Sequence, residues 1–264
     1  RPEELGKLVR AALACRDIAT AYGTPFISGK DSLNNEFRLK AESGERSAEG
    51  QNGSDRIVIP PTLLISALGQ IDDVRQCVTM DLKEPGNLLF LIGWTKDELG
   101  GSHFHLGTHP GGRAAPKVDS KLANSIFHAV HTAIQRGLVR SCHDLSEGGL
   151  GVALAEMAFA GNLGATIDLC GKLPNDSEVE SYSVPASGRM GQVVELFSES
   201  NSRFLIEVPH TRVAEFEEVM LQTTLPRAMI RHLGIVTSTP MLTITEVDHD
   251  AELESDDGWD ARFD

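Results

Sequence analysis

The sequence lacks the short motifs that mark common metal and cofactor sites. Its 264 residues include four cysteines and no C-x-x-C pair, which argues against a zinc knuckle or a dithiol redox site. No G-x-S-x-G, P-loop or G-x-G-x-x-G motif is present, so the usual hydrolase and nucleotide signatures do not account for a function. The cysteines (Cys15, Cys77, Cys142 and Cys170) lie far apart among apolar neighbours. We therefore expect buried, reduced thiols and a cytoplasmic location.

Long apolar runs and excess positive charge are also missing. No run approaches the ~20 residues that a membrane-spanning helix needs, which argues against a membrane protein. Lys and Arg number 24 against 38 Asp and Glu, a net charge of −14 that argues against a nucleic-acid partner. Nine of the acids, with one Arg, lie in residues 246–264, so we predict an acidic, solvated and mobile tail.

The remaining composition is that of a globular protein with alternating elements. Helical and strand-like segments follow one another, which predicts an α/β or α+β fold with a mixed sheet. Periodicity predicts helices at 2–22, 119–136, 147–160 and 213–221. It predicts strands at 25–28, 56–69, 87–93, 138–142, 165–169, 204–208 and 241–245. Polar composition predicts loops at 41–55 and 171–188, and turn residues near 70–85 predict a domain boundary.

A polar turn at residues 29–36 (GKDSLNNE) is the first candidate site. It joins two strand-like runs and gathers six polar side chains within eight residues. Backbone N–H groups, the Lys30 ammonium and nearby carboxylates can surround a small anion in such a turn. A plain solvated hairpin is the alternative, because loops are polar in any case.

The second candidate is the stretch SCHDLSEGG (141–149), where a predicted strand gives way to a helix. Ser146 is placed to be the N-cap, and Gly148 and Gly149 leave the first turn open to an anion. Asp144, at the carboxyl end of the strand, could hold Mg²⁺ together with substrate phosphates. Capping and tight packing are the alternative. Glycine in a helix costs about 1 kcal/mol relative to alanine, which favours a functional reason for the pair.

Other polar stretches give weaker signals. The LGGSH turn (99–103) could approach a phosphate, although such turns are common. The SESNSR stretch (198–203) is interpreted as a plain polar loop before a strand. His103 with His105, and His128 with His131, lack a third ligand at a recognisable spacing, which argues against a metal site there.

Five segments together resemble the phosphoribosylformylglycinamidine synthase family, in family order and over nearly the whole chain up to about residue 245. They are GTPFISGKDSLNNEF (23–37), IPPTLLISALG (59–69), CVTMDLKEPGNLLFLIG (77–93), CHDLSEGGLGVALAEMAFAG (142–161) and LFSESNSRFLIEV (196–208). This match is more specific than either candidate turn alone.

The resemblance implies an aminoimidazole ribonucleotide synthetase-like fold. In that family two tandem copies each consist of an N-terminal half followed by a C-terminal half. Residues 1–72 resemble the last part of the second N-terminal half, and residues 75–245 resemble a complete second C-terminal half. The first copy and a glutaminase domain have no counterpart here. Since the sequence also begins without Met, we expect a piece of a longer chain.

The resemblance also implies a reaction, cofactors and partners. The family is a carbon–nitrogen ligase that converts formylglycinamide ribonucleotide, glutamine and ATP to formylglycinamidine ribonucleotide, ADP, phosphate and glutamate in purine biosynthesis. ATP and Mg²⁺ are the implied cofactors, and the missing first repeat and a glutaminase domain or subunit are the implied partners. Because the family builds a central barrel by pairing N-terminal halves, we expect this piece to be able to form a homodimer.

Residue roles carry over only where the motifs match. Gly29 matches a position that contacts ATP in the small-form enzymes, and Ser32 one that contacts substrate. Lys30 stands where those forms have an Asn metal ligand, and a protonated ammonium cannot ligate a metal, so a phosphate contact is implied instead. Asp144 and Ser146 match residues that hold Mg²⁺ and nucleotide in the second half of the large-form enzymes. No residue matches the family's catalytic His.

Three interpretations follow from the sequence. The first is a ligase fragment that is inactive alone. The second is a non-catalytic half in which the site at Asp144 and Ser146 holds a structural nucleotide. The third is another ligase or kinase of the same superfamily, against which the GKDSLNNE and HDLSEGG wording argues.

Overall fold

The chain forms two compact units, Arg1–Ile71 and Asp72–Asp264, in a computed structural model. The structure describes residues 2–30, 36–38, 56–108, 114–169, 189–223, 225–245 and 260–261. The predicted loops at 41–55 and 171–188 fall on or across the gaps, as does most of the predicted acidic tail. The assignment of 1–72 and 75–245 to two family halves stays a prediction.

The first unit begins with helix α1, Pro2–Tyr22, at the predicted bounds. Gly23 follows with a φ of +67° and donates its N–H to Thr20 O, so the helix ends in a glycine turn. Strand β1 (Glu36–Arg38) pairs antiparallel with β2 (Arg56–Val58).

Two strand predictions in this unit are wrong. Residues 25–28 form no strand, and the side chains of Phe26 and Ile27 are exposed. Of residues 56–69 only the first three form a strand, because Pro60 and Pro61 cannot donate to a ladder. The apolar residues that follow these prolines are largely exposed, with Leu64 at 88% and Leu68 at 92%.

The second unit contains the mixed sheet that the sequence predicts. Its strands are β3 (Leu88–Ile92), β4 (Ser141–Asp144), β5 (Gly164–Asp168), β6 (Phe204–Val208), β7 (Ile230–Thr237), β8 (Leu242–Thr245) and β9 (Asp260–Ala261). Their order is β4-β6-β3-β7-β5-β8-β9. All neighbours are antiparallel except β5 and β8, which are parallel. The predicted mixed α/β class is therefore confirmed, and β9 brings two residues of the acidic tail to the sheet edge.

Helices of the second unit are α2 (His103–Thr108), α3 (Ser120–Gln135), α4 (Gly149–Gly161), α5 (Arg189–Phe197) and α6 (Val213–Gln222). Cores lie on both faces of the sheet. Leu89 and Leu91 of β3 pack with α4 on one face, while Phe90 and Ile92 pack with α3 and α6 on the other. Burial of both faces explains why β3 is apolar throughout. Among the described residues, no helix has the length and apolar character needed to cross a membrane.

Strand β7, the longest of the described strands, was not predicted. Its residues Arg231 and His232 interrupt the apolar pattern, and Gly234 weakens a strand signal. The structure explains the glycine, because a Cβ there would lie 1.9 Å from Thr166 O of β5. The β3–β7 register also shifts between Leu89 and Phe90, opposite this glycine.

The described thiols are free but less buried than predicted. Cys77 is exposed, and Cys15 and Cys142 are only partly buried, while Cys170 lies outside the described residues. Burial, with a smaller effect of the Asp144 charge, raises the pKa of the Cys142 thiol to about 12. Cys142 is therefore protonated and a poor nucleophile at neutral pH.

A fully buried carboxylate fastens the chain before β3 to the sheet. Glu207 of β6 has 0% exposure, and its oxygens accept four hydrogen bonds. The donors are the backbone N–H groups of Lys83 (2.9 Å) and Glu84 (3.1 Å), Asn87 Nδ2 (2.6 Å) and Ser141 Oγ (2.7 Å). Four donors satisfy the carboxylate without a cation, so this residue is tied to one geometry.

We expect Glu207→Gln to lower the free energy of unfolding by about 2–3 kcal/mol, because its amide NH₂ would face buried donors and leave them unsatisfied. Glu215→Gln is the control. Glu215 is half-exposed on α6 and pairs with Arg212, and such pairs contribute about 1 kcal/mol or less. Urea unfolding of both variants measures the difference. Equal midpoints would contradict the role given to Glu207.

Candidate functional site

The Asp144 turn (residues 144–149) connects the edge strand β4 to helix α4. Strand β4 pairs with β6 as far as Asp144 opposite Phe204. The Asp144 side chain is 71% exposed, and Ser146 is also exposed. Between them Leu145 is buried and donates its N–H to Arg203 O at 3.0 Å. The turn therefore presents the two predicted site residues on either side of a buried anchor.

The predicted capping role of Ser146 is wrong. Helix α4 begins at Gly149, its N-cap is Gly148 with a φ of +81°, and no side chain caps it. Ser146 instead contributes its carbonyl oxygen, which accepts from Gly149 N at 3.2 Å. The left-handed backbone of Gly148 prevents the helix from extending back to residue 147.

Close packing accounts for the glycine pair. A Cβ on Gly149 would lie 2.4 Å from Ser198 O and 2.9 Å from Leu196 O, and its φ is +64°. A Cβ on Gly148 would meet Val152 at 2.2 Å. Backbone conformation and packing alone require both glycines, so their presence is not evidence of a ligand site.

The Ser198 segment (residues 198–203) packs against the Asp144 turn. It is a polar loop before β6, as predicted, but it contains a buried hydrogen-bond network that was not predicted. Arg203 is only 1% exposed. Its guanidinium donates to Ser198 O, to Ser200 O at 3.1 Å and to Thr95 Oγ1 at 2.9 Å. The Lys96 backbone adds three bonds. Its N–H donates to Ser200 Oγ at 3.0 Å, and its carbonyl oxygen accepts from Ser198 Oγ at 2.6 Å and from Ser200 Oγ at 3.4 Å.

Burial sets the charge balance around this guanidinium. It lowers the pKa of Arg203 to about 10, while Glu195 and Glu98 oppose that shift and Arg231 adds to it. Arg203 thus stays protonated at neutral pH. Arg231 of β7 forms an ion pair with Glu195 of α5. The signal that could have revealed this network is an Arg placed directly before an apolar strand and preceded by three serines.

Glu199 joins two turns that the sequence treated separately. Its Oε1 accepts from Gly148 N at 2.8 Å and from His103 N, at the start of α2, at 3.1 Å. The Gly148 N–H, assigned from sequence to an anion, is therefore bonded to a carboxylate of the protein itself. Sequence reasoning gave Glu199 no role.

His143 lies beside Asp144 and links β4 to α4. Its Nε2 donates to Glu156 Oε2 at 2.8 Å, because an ionised carboxylate only accepts. Its Nδ1 lies 3.5 Å from Asp144 Oδ1. The Asp144 carboxylate therefore has a polar neighbour on one side and solvent on the other.

The other predicted residues belong to the first unit. Gly29 and Lys30 lie in exposed, irregular backbone, and a Cβ on Gly29 would meet nothing within 4 Å. Ser32 lies outside the described residues. The structure thus brings Asp144 and Ser146 together on one turn, while Gly29 and Lys30 are described with the other unit.

The fit to Mg²⁺ can be judged from the donors present. In the described part of the chain, no group of three or more His, Cys, Asp and Glu side chains could hold a metal ion. Asp144 offers a single exposed carboxylate. That donor set suits a Mg²⁺ ion whose remaining ligands are phosphate oxygens and water, and does not suit a permanently held ion.

The sheet and its helices match a known protein family. Residues 84–245 match the family described as AIR synthase related protein, C-terminal domain. The chain belongs to this family. The matched range runs from the turn before β3 to the end of β8 and includes the Asp144 turn, the Ser198 segment and Glu207.

Individual relatives agree with this assignment. The phosphoribosylformylglycinamidine synthase subunit PurL of Thermococcus sibiricus is 32% identical over 221 residues, covering 83% of this chain and 26% of that protein. The subunit of the same name from Alkaliphilus metalliredigens is 33% identical over 230 residues, covering 87% and 27%. The chain thus spans about a quarter of the length of these relatives.

A solved structure shares the fold of this AIR synthase related chain. T. maritima PurL complexed with FGAR superposes with a TM-score of 0.51 at 17% identity, covering 72% of this chain and 33% of that one. At this identity the likeness concerns the fold alone. The predicted aminoimidazole ribonucleotide synthetase-like fold class is confirmed.

We expect Gly149→Ala to destabilise this AIR synthase related chain more than Gly137→Ala. Both glycines have similar positive φ values, +64° and +66°, so both variants carry the same backbone penalty of roughly 1 kcal/mol. Only at 149 would the methyl group meet a backbone oxygen, whereas it meets nothing within 4 Å at 137. Thermal unfolding compares the two. Equal losses would show that packing does not require Gly149.

Proposed function

We propose that this chain is part of a formylglycinamidine ribonucleotide-forming ligase of purine biosynthesis, which uses ATP and takes its nitrogen from glutamine. The observation that carries the proposal is the 32–33% identity to PurL subunits over 83–87% of the chain. The substrate is formylglycinamide ribonucleotide, and the FGAR complex of the T. maritima relative supports it. The partners are the remaining synthetase repeat and a glutaminase domain or subunit.

Within this proposal the Asp144 turn is a nucleotide site. Asp144 would hold Mg²⁺, which neutralises charge on the phosphates, and exposed Ser146 would contact a phosphate oxygen. Exposure of both groups on one turn supports the pairing. Gly29 and Lys30 are proposed to contact phosphate and Ser32 the substrate, on the basis of the sequence resemblance. No catalytic residue is assigned to this chain.

A second proposal gives the same site a structural task. The Asp144 turn is held by the Ser198 segment through contacts at Leu145, Gly148 and Gly149. A nucleotide bound to the turn would add further contacts that stabilise the same region. In that case the nucleotide stabilises the fold and takes no part in turnover. A nucleotide that raises the unfolding temperature and stays bound through gel filtration would favour this alternative.

We expect the isolated chain to bind Mg-ADP through Asp144 without ligase turnover. Isothermal titration calorimetry should show that Asp144→Ala weakens binding about tenfold or more, because the sole carboxylate assigned to the ion is lost. Glu147→Ala removes an exposed carboxylate from the same turn that is not assigned to the ion, so it should bind at least as tightly as the parent.

Turnover is measured separately, by mixing the chain with formylglycinamide ribonucleotide, ammonia and Mg-ATP. ADP formation at a measurable rate would contradict the inference that the chain is inactive alone. Absence of Mg-ADP binding in the parent and both variants would contradict both nucleotide proposals.

We also propose that the first unit forms a homodimer. Six large apolar side chains of residues 59–71 are exposed: Ile59, Leu63, Leu64, Ile65, Leu68 and Ile71. Residues 1–71 carry nine basic and nine acidic residues, so charge repulsion does not oppose association there. An apolar surface of this kind in a neutral unit marks an interaction site.

Sedimentation velocity tests this pairing. We expect the parent chain to sediment as a dimer and the double variant Leu64→Ser/Leu68→Ser to shift towards the monomer, because it removes the two most exposed of these side chains. Leu106→Ser, which alters a leucine of the second unit that is 72% exposed, should leave the dimer intact. A monomeric parent would rule the pairing out.

A further inference from the structure

The Ser198 segment contacts the Asp144 turn at three successive points. Arg203 O accepts from Leu145 N at 3.0 Å. Glu199 Oε1 accepts from Gly148 N at 2.8 Å, and Ser198 O lies against Gly149 so closely that no Cβ would fit. Two of these contacts use the backbone of the segment, and only the one at Gly148 depends on a particular side chain.

The Glu199 side chain contacts two separate turns. Glu199 Oε1 also accepts from His103 N at 3.1 Å, so one oxygen holds the starts of α2 and α4 together. Hydrogen bonds to an ionised acceptor are about twice as strong as neutral ones, and the positive end of a helix favours a carboxylate. Glu199 is therefore the polar side chain that ties the second half of the Asp144 turn to the rest of the unit.

The bond at Gly148 fixes the chain two residues after Ser146. Leu145 is fixed by its buried side chain and its bond to Arg203, whereas Ser146 and Glu147 are exposed. Ser146 O also accepts from Gly149 N at 3.2 Å, so its position depends on both glycines. Gly149 is confined by packing against Ser198 O, while the left-handed backbone of Gly148 is held by the bond to Glu199.

We propose that Glu199 is a positioning residue for the nucleotide site at Asp144 and Ser146, so this inference rests on the function proposed above. Its carboxylate keeps the Gly148 N–H fixed and thereby holds Ser146 in the conformation that meets the phosphate. The phosphate approaches the exposed side of the turn, while Glu199 stays in place beneath it. If Glu199 instead occupied the phosphate position itself, its removal would strengthen binding.

Two substitutions at this position separate the roles. Glu199→Ala removes both hydrogen bonds, and we expect it to weaken Mg-ADP binding about tenfold. Glu199→Gln keeps an oxygen that can accept from both N–H groups, so its dissociation constant should stay within about threefold of the parent value. Glu215→Ala, on the half-exposed surface of α6, is the control and should bind like the parent.

Unfolding temperature is recorded for every variant, because a purely structural role would change it without changing binding. Weaker binding by Glu199→Ala with recovery in Glu199→Gln supports the proposal. Unchanged binding by Glu199→Ala, or tighter binding, overturns it. If the alanine variant does not fold, Glu199→Asp replaces it, since a side chain one methylene shorter cannot reach both N–H groups.

Amide hydrogen exchange distinguishes failure of this inference from failure of the proposed function. In the absence of nucleotide, Glu199→Ala should speed exchange at both Gly148 and His103, and Glu199→Gln should speed neither. If the parent chain binds no Mg-ADP, the nucleotide function fails, and faster exchange at both amides would still show that Glu199 couples the two turns. Unchanged exchange at both amides would overturn the coupling itself.

Discussion

The candidate site depends on the hydrogen bonds of the buried Arg203 guanidinium. The guanidinium is almost completely buried and donates to two carbonyl oxygens of its own segment and to Thr95. Removing a charged group from water is costly unless its donors are paired, so the segment has to fold around it in one way. The polar sequence of the Ser198 segment is thereby turned into a rigid support. The Asp144 turn rests on that support through Leu145, Gly148 and Gly149.

Much of the fold could be predicted because burial leaves a periodic pattern in the sequence. The bounds of β6 were predicted to the residue, and those of α3, α6 and β3 nearly so, because their apolar faces are buried in the core. Helix α1 was also predicted to the residue from apolar residues at helical spacing, although its described side chains are exposed or partly buried. Strand β7 could not be predicted in this way. Its Arg231 forms an ion pair with Glu195, and its Gly234 is required because β5 lies too close for a side chain. Both partners are distant in sequence.

The sequence indicated the candidate turn, but it did not predict the contacts that hold that turn in place. The strand–turn–helix pattern correctly placed Asp144 at the carboxyl end of β4, and the structure shows that Asp144 and Ser146 are exposed. Capping rules favoured Ser146 as N-cap because they consider only neighbours in sequence, whereas the helix start is fixed by the packing of Gly149 against Ser198 O. Glu199 was missed for the same reason. Its partners lie 51 and 96 residues away along the chain.

Charge places one further constraint on any phosphate ligand of this turn. Residues 1–71 are neutral, so the net charge of −14 belongs to the second unit. The buried Arg203 and the partly buried Arg231 are offset by Glu195 and Glu98, and residues 144–149 include no Lys or Arg. A polyphosphate approaching this turn would therefore meet the carboxylates of Asp144 and Glu147, and residues 144–149 themselves supply no cationic side chain. A divalent cation shared between the Asp144 carboxylate and the phosphates removes that repulsion, which is why the proposed site requires Mg²⁺ and the nucleotide together.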